Sequence, residues 1–413
     1  MKTKTANDLG FDPGRLDRIS AWMQSYVDRR RFAGCATLIS RAGQEVWFGE
    51  RGQRNIEEDL PFERDTVARI YSMTKPITSV AIMMLAERGL FHLNAPVSEF
   101  IPAFADMQAL IPGATSIDQT EPCATPTIHQ LLTHTSGLSY HFNIGVLPTE
   151  MEREKVKFGG RDSTLAEGVA RLAALPLAFA PGRRWEYSEG TSVLGRVVEI
   201  VTGRSLDTVF ADDIFEPLGM TQTAFSVPKG VGNRFASLYS PLTGDSFALN
   251  TVQDGSDPLR CVETYHDSAF HDVTSFSGGG GLVGTIDDYM RFAEMLRQGG
   301  ALNGARLLSP KTVAFMMSNH LPGDIASMGP SSFAEMPTEG VGFGLGGAVF
   351  TSPARSRTLG SVGDFGWGGM ASTYFWVDPV NELSVIFFTQ LSPSSSYPNR
   401  PQLKALVHGA MLA

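Results

Sequence analysis

The residues most able to do chemistry in this chain are Ser72 and Lys75, three positions apart in Ser72-Met73-Thr74-Lys75. A serine hydroxyl is a poor nucleophile until a neighbouring base takes its proton. A lysine can be that base where burial lowers its pKa toward neutrality. Residues three apart on a helix share a face, so Lys75 can reach the Ser72 hydroxyl. The helix start also favours negative charge developing near the serine. The pattern is short enough to arise by chance, and it recurs at Ser226-Val227-Pro228-Lys229. There Pro228 and Gly230 break any helix that would align the pair, so a surface turn is expected.

The context of the first copy is helical. Ile77, Val80, Ala81, Met84 and Leu85 form an apolar stripe that ends at Glu87-Arg88-Gly89. Pro76 lies within the first turns, where proline is tolerated. Ahead of it, Asp12-Pro13 marks a helix start, and the run through Leu16, Ile19, Met23, Tyr26 and Val27 stops at Gly34. Two strands, 36–41 and 45–49, join at Ala42-Gly43. Near the other end, segments 372–377 and 383–390 read as a second hairpin, and 402–412 as a closing helix. The two ends of the chain therefore share one antiparallel sheet flanked by helices. Segments 193–201 and 206–215 are helical, with Gly203 and Gly219 as stops. Stretches 104–126, 141–162 and 228–275 are irregular, and loops of that length usually line or cover a site. The expected fold is α+β. Residues 1–95 and 285–413 form a discontinuous α/β lobe, 96–284 a mainly helical inserted lobe, and the site lies in the cleft between them.

Two further segments complete a pattern. Trp185-Glu186-Tyr187-Ser188-Glu189 follows Pro181-Gly182, and Gly366-Trp367-Gly368-Gly369-Met370 precedes a strand-hairpin-strand. With Ser72-x-x-Lys75 these resemble, in order and spacing, the three motifs of the serine β-lactamase and penicillin-binding protein superfamily. The nearest resemblance is to the family VIII carboxylesterases, relatives of class C β-lactamases, in which W-G-G often replaces K-T-G. The stretches Leu131–Leu138 and Ser277–Leu282 also fit, and the resemblance runs over about residues 15 to 410. It implies a β-lactamase-like fold and an acyl-enzyme on Ser72. Lys75 would accept the serine's proton, and Tyr187 would share that role or relay a proton to the leaving alkoxide. The ionised phenol would be favoured by the neighbouring ammonium, and the two groups would titrate together. The backbone N–H groups of Ser72 and Met370 would form the oxyanion hole. Trp367, Gly368 and Gly369 would line the substrate cleft, with Trp367 where a β-lactamase places a cation; Tyr140 is a further cleft-wall candidate. The missing cation favours neutral esters. Glu189 departs from the usual Y-x-N: it either pairs with Lys75 and holds it charged, or points away.

Other patterns carry less. Gly342-Phe343-Gly344-Leu345-Gly346-Gly347 matches the dinucleotide fingerprint, but the continuation Ala348–Thr351 reads as strand where a helix is required. His134 is expected in a hydrogen-bonded turn, since no G-x-S-x-G elbow exists. The histidines lack metalloprotease spacing, so neither a metal nor a cofactor is expected. A formal charge of −9 argues against nucleic acid as partner. No run of about 18 apolar residues exists, so no membrane span is expected. Cys35, Cys123 and Cys261 form no disulfide framework, and Met1–Asp8 has no apolar run behind it, so a cytoplasmic location is expected. The leading expectation is a serine carboxylesterase acting on short or medium acyl esters as small-molecule partners. The alternatives are an acyltransferase of the lovastatin type or a weak β-lactamase using the same machinery, and a non-catalytic binding protein that kept the fold. A pure binder would not need Ser72, Lys75, Tyr187 and the W-G-G turn together.

Overall fold

The computed structural model describes residues 4–243, 259–334 and 336–412. The first helix, α1 (Pro13–Asp28), starts as expected: the Asp12 carboxylate accepts the N–H of Arg15 at 3.1 Å, and Pro13 fills the first helical position. Strands β1 (Gly34–Arg41) and β2 (Gln44–Asn55) follow, turning at Ala42 and Gly43 with φ of 51° and 77°. Positive φ at both turn residues matches the twist of the flanking strands. Next come β3 (Leu60–Pro61), α2 (Thr74–Glu87), α3 (Gly190–Thr202) and α4 (Ile286–Arg297). The chain then returns through β4 (Val341–Phe343), β5 (Ala348–Phe350), β6 (Phe365–Gly368), β7 (Tyr374–Asp378) and β8 (Leu383–Thr389), and closes with α5 (Asn399–Ala410).

The strands form one antiparallel sheet in the order β4-β5-β6-β7-β8-β1-β2-β3, so the two ends of the chain meet at β8 and β1. Both faces are covered. Ala36, Leu38, Phe375, Val377, Ile386 and Phe388 point into the larger core, which α4 seals. Their neighbours Cys35, Ile39, Trp376, Val385 and Phe387 point into a second core under α1 and α5. A period of two with both phases apolar is what a doubly covered sheet demands.

Several segments read as irregular contain structure. A strand pair joins Gln108–Leu110 to Thr120–Pro122, and another joins Leu238–Ser240 to Arg260–Glu263. Helix Val146–Arg153 lies within 141–162. Strands of three or four residues are too short to show a period. Residues 244–258 of the third stretch lie outside the described residues. Segment 206–215 is α-helical to Phe210 and then widens into a π-turn, Ala211–Phe215. The second serine–lysine match lies outside any helix.

The glycine-rich match at 342–347 is the β4–β5 hairpin, with no helix after it. Gly346 has φ of 92°, and a Cβ there would lie 2.1 Å from Ser79 Oγ on α2. The hairpin tip therefore rests directly on the helix that follows Ser72. Among the described residues no helix is long and apolar enough to cross a membrane.

Helix α5 is tied to the sheet by a buried ion pair. Lys404 Nζ lies 2.7 Å from Asp364 Oδ2, with both side chains at 2% exposure or less. Removing one partner leaves a buried charge uncompensated. Lys404→Ala should therefore cost about 3–5 kcal/mol in urea unfolding. Lys404→Met with Asp364→Asn should cost clearly less than the sum of the two single changes.

Candidate active site

Ser72 sits in a single 3₁₀ turn, Tyr71–Met73, that runs into α2. Tyr71 is held at φ 41°, a conformation that costs a non-glycine residue on the order of 1 kcal/mol or more and persists only where its surroundings enforce it. They do so from three sides. The two-residue strand before the turn, Ala68–Arg69, pairs with Val283–Gly284, and the Ile70 N–H bonds to the Leu282 carbonyl at 3.1 Å. Gln390 holds Arg69 at both its N–H and its carbonyl, each at 3.0 Å. Tyr289 on α4 donates to the Met73 carbonyl at 2.8 Å. The W-G-G turn then closes over the nucleophile: a Cβ at Gly369 would lie 2.4 Å from the Ile70 carbonyl oxygen. Arg400 on α5 secures this turn by donating to the Gly369 carbonyl at 3.0 Å.

Helix α2 is buried on all sides from Thr74 to Leu85, more fully than its apolar stripe predicts, and Lys75 is carried inside with it. The lysine's three protons have three acceptors. Nζ lies 2.7 Å from the Gly279 carbonyl, 2.8 Å from Tyr140 Oη and 3.3 Å from Ser72 Oγ. Burial pushes the ammonium down to about 7, with the charge of Glu189 opposing the shift. Once neutral, the amine keeps its two short bonds and turns its lone pair toward the serine, its longest contact.

Tyr187 lines the cleft together with Ser72, whose hydroxyl acts on the phenol electrostatically. Trp367 Nε1 donates to the Tyr187 hydroxyl oxygen at 3.2 Å, so the phenol proton is free for another acceptor. Asn143 fixes the Tyr187 backbone through its carbonyl at 2.9 Å. The expectation that a nearby ammonium would favour the ionised phenol is overturned. Lys75 Nζ lies over the ring face, 4.4 Å from its centre, and burial pushes the phenol pKa up. Tyr187 thus keeps its proton at neutral pH.

A cleft of about 1080 Å³ opens onto this cluster, and Ser72, Tyr140, Tyr187, Trp367, Gly368, Gly369 and Met370 all line it. Lys75 lies directly beneath. The Met370 N–H has no backbone or side-chain acceptor among the described residues. Trp367 lies parallel to Phe333 and edge-on to Phe343, so this wall is aromatic where the β-lactamase pattern has an ammonium. Tyr140, expected only as cleft wall, is a direct partner of Lys75; its position after the Thr135-Ser136-Gly137-Leu138 turn was the only sequence signal for it. Glu189 turns inward, is 4% exposed, and accepts from Ser192 Oγ at 2.7 Å without forming an ion pair with Lys75. His134 sits at φ 56° with Nδ1 3.1 Å from Ser188 Oγ, and its carbonyl takes the Glu186 N–H at 2.9 Å. That is the hydrogen-bonded turn its sequence implied. Burial and the Lys75 charge hold the imidazole well below its usual pKa.

An antiparallel sheet built from both chain ends, with a serine–lysine–tyrosine cluster at a helix start beside it, is the architecture of the serine β-lactamase-like proteins. The chain belongs to the Beta-lactamase family, whose model matches residues 19–409. It is 34% identical to Protein Rv1367c of Mycobacterium tuberculosis over 92% of this chain and 91% of that one. It is 33% identical to Esterase EstB of Burkholderia gladioli over 90% and 89% of the two chains. Among solved structures it resembles EstCE1, described as a hydrolase with promiscuous acyltransferase activity, with a TM-score of 0.78, 28% identity, and 97% and 98% of the two chains covered.

Gly369→Ala forces the W-G-G turn away from the Ile70 carbonyl. A displacement near 1 Å can cost about 100-fold in rate. The expected outcome is a loss of that order in ester turnover, with circular dichroism unchanged.

Proposed function

We propose that this protein is a serine carboxylesterase that hydrolyses short- and medium-chain carboxylic esters through an acyl-enzyme on Ser72. The observation that carries the reading is Lys75 Nζ, buried and 3.3 Å from the Ser72 hydroxyl, with Ser72 and Tyr187 both lining the cleft above it. The kinship with Esterase EstB and with the hydrolase EstCE1 supports it.

Ser72 Oγ attacks the ester carbonyl carbon, and its proton passes to the neutral Lys75 amine. The N–H groups of Ser72 and Met370 receive the carbonyl oxygen as it becomes an anion, each contributing about 3 kcal/mol to transition-state stabilisation. The tetrahedral adduct expels the alkoxide, which takes the Tyr187 proton; Lys75 returns a proton to Tyr187. Water then attacks the acyl-serine and gives a proton to Lys75. As the adduct collapses, Lys75 passes that proton to the departing Ser72 oxygen, and the carboxylic acid leaves with both residues restored. The aromatic wall around Trp367 favours neutral, apolar esters.

A second reading keeps these steps and replaces water with an alcohol. The description of EstCE1 favours it, and a cleft of about 1080 Å³ has room for an acceptor beside the acyl group.

Incubation with p-nitrophenyl butyrate should give a burst of nitrophenol and an intact-mass adduct mapping to Ser72. Ser72→Ala should reduce turnover by on the order of 10⁴-fold or more. Full activity in that variant would refute the mechanism. Because the lysine must be neutral to accept a proton, kcat/KM should rise with pH through about 7, where Lys75 loses its charge. A rate independent of pH between 5.5 and 8.5 would exclude Lys75 as the base. Added alcohol should divert part of the acyl group to a new ester if transfer competes with hydrolysis.

A further inference from the structure

Glu189 is the one charged side chain in the cluster to which the proposed mechanism gives no work. It stands at the N-cap of α3, yet its carboxylate does not cap the helix. It turns into the interior, where Oε2 accepts from Ser192 Oγ at 2.7 Å, and Ser192 Oγ in turn lies 3.2 Å from Ser277 Oγ. The carboxylate sits beside the peptide that holds the lysine. A Cβ on Gly279 would be 2.9 Å from Tyr140 Oη, 3.1 Å from Ser192 Oγ and 3.6 Å from Glu189 Oε2. The Gly279 carbonyl takes Lys75 Nζ at 2.7 Å. The carboxylate thus stands one residue away from the ammonium, in an interior where an uncompensated charge is expensive.

We propose that Glu189 is the electrostatic partner of Lys75, a positioning residue that holds the lysine's charge in the resting site and sets the pH at which Ser72 can be deprotonated. The proposal rests on the esterase reading and adds its regulation by pH. The groups facing the lysine are Ser72 from its own turn, Tyr140 and His134 from the helical region, and Tyr187 and Glu189 at the start of α3; the Arg400 charge reaches the cluster through Tyr187. Of these, Glu189 alone can bring negative charge to the lysine, and because burial lifts its pKa to about 7 the two groups titrate together as a pair. Its own acidity is weakened by burial, while the hydrogen bond from Ser192 and the Lys75 charge favour the carboxylate. Attraction between carboxylate and ammonium raises the proton affinity of Lys75, opposing burial. Without it, the amine would be free at lower pH.

The test is the pH profile of kcat/KM for p-nitrophenyl acetate in wild type, Glu189→Gln and Glu189→Asp, with Ser72→Ala alongside. Glu189→Gln keeps the shape and an acceptor for Ser192 but removes the charge. Its acid limb should move to lower pH by about one unit or more. Glu189→Asp should keep the limb close to wild type. An active Glu189→Gln whose limb does not move, or moves up, overturns the proposal. A merely structural role would lower the rate without displacing the limb. If Glu189→Gln fails to fold, Ser192→Ala serves instead: losing its donor weakens the carboxylate charge, so the limb should again move down, and an unmoved limb overturns the proposal. Full turnover in Ser72→Ala would sink the esterase reading itself. An inactive Ser72→Ala with an unmoved limb would sink only the role of Glu189.

Discussion

The site depends on one buried lysine. An ammonium with no exposure to water is tolerable only if every proton has an acceptor and its charge is answered nearby. The Gly279 carbonyl, the Tyr140 phenol and the Ser72 hydroxyl meet the first need. The rings of Tyr140 and Tyr187, with their faces toward Nζ at 5.1 and 4.4 Å, help with the second. Each acceptor comes from a different stretch of chain, so holding the lysine also fixes the nucleophile turn, the segment around residue 140 and the glycine run at 278–281 relative to one another.

Small residues permit this convergence. Gly278 brings its stretch against the Thr191 carbonyl, where a Cβ would lie at 2.7 Å, and Thr78 on α2 bonds the Gly278 carbonyl at 2.7 Å. Gly369 does the same between the end of β6 and Ile70. The Trp367 indole that hydrogen-bonds Tyr187 belongs to the turn that Arg400 anchors from the last helix. The late strand β6 and the last helix thus contribute to the orientation of one phenol.

The terminal hairpins, both end helices and the serine–lysine helix were legible in the sequence, because turn residues and apolar periods are local signals. Trp367 and Tyr187 were legible as motif members but not as bonding partners, since a contact between residues 180 apart leaves no local trace. Tyr140 was placed at the cleft but not at the lysine for the same reason. The acidity of Tyr187 was misjudged because sequence gives proximity without direction: an ammonium over the ring face and one beside the phenol oxygen read alike. The inward turn of Glu189 was likewise undecidable from a helix start, where carboxylates are equally at home facing solvent.

The β4–β5 hairpin gives the glycine-rich match a meaning unrelated to nucleotides. Its tip is seated against Ser79, one helical turn beyond Lys75, so it works as a bearing surface for the helix that carries Lys75. A bearing transmits load. Any side chain grafted onto Gly346 would press on Ser79 of α2, although the hairpin tip is more than 260 residues away in sequence. In a library screened for activity, this distant turn should therefore be as intolerant of change as the wall of the cleft, and a map of mutational sensitivity drawn on the sequence would show an active site in two places.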